Sequence, residues 1–195
     1  MRAETDEDEH SLELHLPYIH KILPHASLVP ILVGNTSPDT EIRFGKLLAP
    51  YLKNPENVFV ISSDFAHWGT RFSYTNYVSD LSSMDSIRSL RSSDRNINNP
   101  KIHESIEAID KHTMDAIGTG EHKVFLASLK QTGNTVCGRH PIGIIMAAIE
   151  KLITSGSIKD TKLQFVRYAR SSDPIKMSDS SVSYVSAYAV IDELS

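Results

Sequence analysis

The first third of the chain alternates amphipathic stretches with short apolar runs, and this alternation limits the possible folds more than any other feature. Apolar residues recur at helical spacing over 9–23 and 39–51. Runs of β-prone residues follow each stretch, SLVPILV at 27–33 and NVFVI at 57–61. Because NVFVI is continuously apolar, we expect an interior strand with both faces covered. The order predicts an α/β fold, in which helices flank a central, mostly parallel or mixed sheet.

The remaining chain predicts more helices and a pair of closing strands, which we expect to be adjacent in the sheet. The helices are predicted over 102–117, 122–129 and 141–153, and the strands over 162–168 and 181–191. Before these helices, 79–100 is rich in Ser, Asp and Arg and has little to bury, so it is predicted to be an exposed, disordered insertion. With no internal repeat or linker, residues 1–195 form one predicted domain.

Composition excludes several classes of function. A formal net charge of -4 provides no basic excess to neutralise a phosphate backbone, so a nucleic-acid partner is not expected. No apolar run approaches the roughly 18 residues of a membrane helix, so membrane insertion is not expected. The single cysteine, Cys137, forbids an intrachain disulfide and fits a reducing compartment, which predicts a location in the cytoplasm or the nucleus.

The first candidate site directly follows the NVFVI run. Asp64 and His67 are three residues apart there, in the sequence SSDFAHWG at 62–69. Ligands of open α/β sheets bind outside the carboxyl ends of strands, and a carboxylate at this spacing can orient the imidazole. The alternative is structural: Asp64 caps the following turn and His67 packs against Trp68.

The second candidate is Cys137, which lies shortly before a predicted helix start and close to Arg139. The positive end of the helix dipole and the guanidinium both favour the thiolate, as in a reactive sulfur or a soft metal ligand. The alternative is a buried cysteine that behaves as a small hydrophobic side chain. A third, weaker candidate is Glu9 with His10, although acidic residues in a first helical turn are explained by the dipole alone.

Four separated segments of the chain resemble the Memo family, whose founding member mediates receptor-driven cell motility. The segments are DEDEHSLELHLPY at 6–18, NVFVISSDFAHWGTRFSYT at 57–75, GNTVCGRHPIG at 133–143 and DSSVSYVSAYAV at 179–190. The family fold resembles that of the class III extradiol dioxygenases, which are non-haem iron enzymes. The resemblance therefore implies a central sheet flanked by helices, with a pocket at the strand ends.

The resemblance also implies roles for individual residues. Asp64 and His67 match the family's pocket aspartate and histidine, and Cys137 matches its pocket cysteine, a metal ligand. Arg139 and the pair Glu9 and His10 align with family motif positions and are predicted to line the pocket. The family implies binding of copper or iron with redox activity, and binding of phosphotyrosine-type peptides or signalling proteins.

One departure from the family pattern affects the predicted site. The family's two partner histidines belong to an N-terminal region with motifs resembling PHAGY and PSHH, and this chain contains neither. The chain is therefore predicted to correspond to the C-terminal two-thirds of a Memo protein, to lack part of the sheet, and to bind copper or iron weakly. Two alternatives remain: a non-haem metal-dependent oxidoreductase, and a thiol hydrolase with a triad of Cys137, His67 and Asp64.

Overall fold

Helices form the larger part of the fold in the computed structural model, which describes residues 10–94, 97 and 99–192. The four long helices agree with the predicted periodicity to within three residues at each end. The helices are α1 (His10–Glu13), α2 (Leu16–Ile22), α3 (Pro38–Lys53), α4 (Ile102–Gly118), α5 (His122–Thr132) and α6 (Arg139–Thr154).

Helices α3 and α6 pack closely against each other. A Cβ atom at Gly45 would lie only 2.8 Å from Ala147 Cβ, so the approach of the two helices depends on a glycine at this position. Ala49 and Leu52 continue the contact in a buried cluster with Ile149. The start of α6 is thereby fixed in space, immediately after the loop that carries Cys137.

The described strands form two small antiparallel sheets. Strands β1 (His67–Trp68), β4 (Gln164–Arg170) and β5 (Ser181–Tyr188) make a sheet of order β1-β5-β4, while β2 (Asn76–Tyr77) pairs with β3 (Arg88–Ser89). The prediction that the closing strands are adjacent is confirmed, since β4 pairs with β5. A mostly parallel sheet is not found among the described residues, so that part of the fold prediction is not met.

The two apolar runs predicted as strands are extended but pair with no strand among the described residues. In 27–33 the side chain of Val29 is 78% exposed, and in 57–61 that of Val58 is 67% exposed. A strand needs a hydrogen-bonded neighbour, and local sequence preference cannot provide one. The prediction of an interior strand at 57–61 is therefore wrong for this structure.

The predicted helix over 9–23 is interrupted. Its described part forms α1 and α2, neither of which has a buried residue. Pro17 lies at the start of α2, where its missing N–H is tolerated, and this favours a new helix over a continuous one. Among the described helices, none is long and apolar enough to cross a membrane.

The serine-rich segment 79–100 has more structure than its composition predicts. Met84 is 7% exposed and packs with Val78 and Ile109, and Leu90 is 4% exposed. Met84 and Leu90 pack the segment against α4, although most of its residues are polar. The described part of 79–100 is thus folded against the domain while its polar side chains face solvent.

Candidate functional site

The loop before β1 and the loop before α6 lie against each other, and they bring Asp64 and Cys137 together. The Cys137 amide donates to the Asp64 carbonyl over 3.3 Å, and the Asp64 amide donates to Cys137 Sγ over 3.1 Å. The Gly138 amide donates to Ser63 Oγ over 3.0 Å. These bonds fix the sulfur against the first loop.

Gly138 is required for this close approach. A Cβ atom at this position would clash with the Ser62 carbonyl oxygen and with the Ser63 side chain. Only glycine lets the second loop lie directly on the first. The sequence motif around Cys137 therefore includes the residue that allows the thiol to reach Asp64.

Thr135 orients the imidazole of His67. The His67 amide donates to Thr135 Oγ1 over 2.7 Å, and His67 Nδ1 lies 3.2 Å from the Thr135 carbonyl oxygen. Because a carbonyl only accepts, Nδ1 carries the proton in this contact. Nε2 faces Asp64, whose Oδ2 is 3.7 Å away. In metal sites an imidazole that binds the ion through one nitrogen is usually held through the other, as Thr135 holds Nδ1 here.

Asp64, His67 and Cys137 form a cluster, and one oxygen, one nitrogen and the sulfur lie within 4.8 Å of one another. An ion held at about 2.0–2.3 Å from each ligand atom fits between atoms at this separation. The site is open rather than enclosed, since Cys137 is exposed and the side chains of Asp64 and His67 are 43% and 23% exposed. The implied pocket is therefore a shallow surface site in this structure.

The geometry of the cluster differs from that of a thiol hydrolase triad. In such a triad the imidazole contacts the nucleophile through one nitrogen and the carboxylate through the other. Here Nδ1 faces the Thr135 carbonyl oxygen and Nε2 faces Asp64. Among the described contacts, neither ring nitrogen of His67 is hydrogen-bonded to Cys137 Sγ, as a triad requires.

Arg139 lines a cavity of about 330 Å³ next to the cluster, together with Lys130 and His140. Glu41, which also lines this cavity, is 2% exposed. It accepts from His122 Nε2 and His140 Nδ1, each over 2.6 Å. Sequence reasoning missed this buried group, because Glu41 falls in a helical pattern where a solvent-facing Glu is the ordinary case.

The remaining predicted site residues are not part of the cluster. His10 is exposed on α1 and contacts Glu13 Oε2 through Nδ1 over 3.1 Å. Glu9 lies outside the described residues. Thr135 was not singled out from the sequence, although it lies two residues before Cys137 in a segment already marked as functional.

Comparison with known proteins finds similarity over nearly the whole chain. The family model for "Memo-like protein" matches residues 1–188. Protein MEMO1 of Danio rerio is 40% identical over 195 residues, which cover 98% of this chain and 59% of that relative. Protein MEMO1 of Homo sapiens is 40% identical, with coverages of 94% and 57%. A MEMO1 family protein of Schizosaccharomyces pombe is 39% identical, with coverages of 97% and 62%.

The chain thus spans about 57–62% of the length of these relatives. The match is not confined to one motif, because it runs through β1, both loops of the cluster, α6 and the closing strands. Since the family model covers nearly the whole chain and several curated relatives share two residues in five with it, the protein belongs to the Memo family.

Proposed function

We propose that the protein binds a copper or iron ion through Asp64, His67 and Cys137. The observation that carries this proposal is the meeting of the three donor atoms within 4.8 Å, on two loops that are hydrogen-bonded to each other. Thiolate and imidazole suit copper, and imidazole and carboxylate suit iron. Three protein ligands at an open surface leave coordination positions free, which fits weak rather than tight binding.

Each residue has a separate part in this site. Cys137 provides the sulfur ligand, whose position the Asp64 amide fixes. His67 offers Nε2 because Thr135 holds Nδ1 in its protonated form. Asp64 contributes a carboxylate that adds negative charge next to the imidazole. Bound copper or iron would provide one-electron redox chemistry at this surface. The dioxygenase alternative needs two histidines beside the carboxylate, and the described cluster provides one.

Titration with Cu(I) against a competing chelator tests this site. We expect the wild-type chain to bind one equivalent and Cys137→Ala to lose more than about 100-fold in affinity, because even partners outside the ligand set are worth 10- to 100-fold. His67→Ala should weaken binding as well. The matched control is His10→Ala, which removes an exposed histidine elsewhere. Equal affinity of the wild type and Cys137→Ala would refute the proposal.

A second candidate function is binding of phosphotyrosine-type peptides, in a signalling role in the cytoplasm or nucleus. It is favoured by Arg139 and Lys130, two exposed cations that line the cavity next to the cluster. A guanidinium binds phosphate in a bidentate manner. Family membership and the single reduced cysteine support this role and location.

Fluorescence anisotropy with a phosphotyrosine peptide tests the second function. Arg139→Ala should weaken binding about 10-fold, as expected for one charge-assisted contact of roughly 1.5 kcal/mol or more. Arg43→Ala is the control, because Arg43 stacks on Phe44 in α3, away from that cavity. An unphosphorylated peptide that binds equally well would show that phosphate is not recognised.

A further inference from the structure

Asp110, a fully buried residue of α4, joins the two loops of the cluster from the side of the core. Its Oδ1 accepts from the Ala66 amide over 3.2 Å and from Asn134 Nδ2 over 2.9 Å. Ala66 lies directly before His67, and Asn134 directly before Thr135, the residue that orients His67. One carboxylate oxygen therefore holds both backbone segments that place the imidazole.

The second oxygen of Asp110 connects this contact to the sheet. Oδ2 accepts from the Tyr168 hydroxyl over 2.9 Å, and that hydroxyl lies 3.2 Å from Ser183 Oγ. Tyr168 and Ser183 belong to the paired strands β4 and β5. Helix, loops and sheet thus meet at one carboxyl group beneath the cluster.

The hydrogen-bond partners of Asp110 are an amide N–H, a side-chain amide and a hydroxyl, all of them neutral. Burial raises the pKa of Asp110, because its charged form loses hydration. What Asp110 contributes to the two loops is therefore the pair of hydrogen bonds at Oδ1, which do not need a negative charge. An asparagine of the same shape would keep both of these bonds.

We propose that Asp110 is a positioning residue of the Asp64, His67 and Cys137 cluster, which holds the two loops together through Oδ1. This inference rests on the proposed metal-binding function. Without Oδ1 the buried Ala66 amide would lose its acceptor and Asn134 Nδ2 would keep only Thr113, so both loops would shift.

The test compares Asp110→Asn, Asp110→Ala and the control Asp115→Asn, which makes the same change at an exposed position of α4. We expect Asp110→Ala to lower Cu(I) affinity about 100-fold through loss of the loop contacts, and Asp110→Asn to bind nearly as tightly as the wild type because it keeps Oδ1. Asp115→Asn should bind as the wild type does. A circular dichroism spectrum identifies any variant that fails to fold.

Alkylation of Cys137 by iodoacetamide without metal provides an independent measurement. Separation of the loops would release Cys137 Sγ from the Asp64 amide, so Asp110→Ala should react several-fold faster than the wild type while Asp110→Asn and Asp115→Asn do not. If the wild type binds copper and a folded Asp110→Ala binds it equally well, or if Asp110→Asn loses as much affinity as Asp110→Ala, the role of Asp110 is overturned. If the wild type binds no copper, the proposed function fails, and an unchanged alkylation rate in Asp110→Ala then overturns the role of Asp110 as well.

Discussion

Replacement of Glu41 by alanine should lower the free energy of unfolding by about 3–5 kcal/mol, the range found when one partner of a buried pair is removed. Glu41 is 2% exposed, and its two oxygens accept from His122 and His140. Alanine would leave His122 Nε2 without its acceptor inside the domain and His140 Nδ1 with only the Thr36 hydroxyl. It would also open a cavity between α3, α5 and α6, the three helices that these residues connect.

Chemical denaturation measures this loss, and Glu41→Gln is the informative comparison. Glutamine fills the same space, accepts from one imidazole and donates to a neutral nitrogen of the other. We therefore expect Glu41→Gln to cost about 1–3 kcal/mol, less than alanine. An alanine variant within 1 kcal/mol of the wild type would mean that the contacts to His122 and His140 contribute little in solution.

Replacement of Gly138 by valine should separate the two loops of the cluster. Any Cβ at this position meets the Ser62 carbonyl oxygen and Ser63, and backbone cannot move aside as a flexible side chain can. We expect a loss of about 1–3 kcal/mol of stability from overpacking. The larger effect is on metal binding, which should fall by about 100-fold because Cys137 no longer lies against Asp64.

Gly34→Val is the matched control, because a Cβ atom at Gly34 meets no other atom within 4 Å. Thermal unfolding and the Cu(I) titration should both leave this control close to the wild type. The two measurements separate a local displacement from global unfolding. Should Gly138→Val keep wild-type copper affinity, the close approach of the loops is not needed for the site.

Parts of the structure that local interactions determine could be predicted from the sequence, while parts that depend on long-range pairing could not. Helices α3 to α6 were predicted because their apolar spacing is a local property that any buried face requires. The runs at 27–33 and 57–61 have equally strong local preference, but strand formation depends on a neighbour that sequence periodicity does not specify. The antiparallel pairing of β1 with β5 was likewise beyond local reasoning.

The same distinction applies to the site. Asp64, His67 and Cys137 were found because they occur in recognisable motifs that flank a predicted strand and a predicted helix. Asp110 and Glu41 were not found, since an acidic residue in an amphipathic helix has the same local pattern whether it faces solvent or the core. Only the tertiary structure shows that both are buried and bonded to residues far away in the sequence.

The unpaired run at 57–61 has a consequence for the behaviour of the chain in concentrated solution. Its five residues carry no charge and have high β-sheet preference, and Val58 and Val60 are 67% and 49% exposed. An exposed apolar segment that pairs with no strand among the described residues is a template for edge-to-edge aggregation between copies. A single lysine in place of Val60 would act as a gatekeeper that suppresses such assembly without touching the ligand cluster.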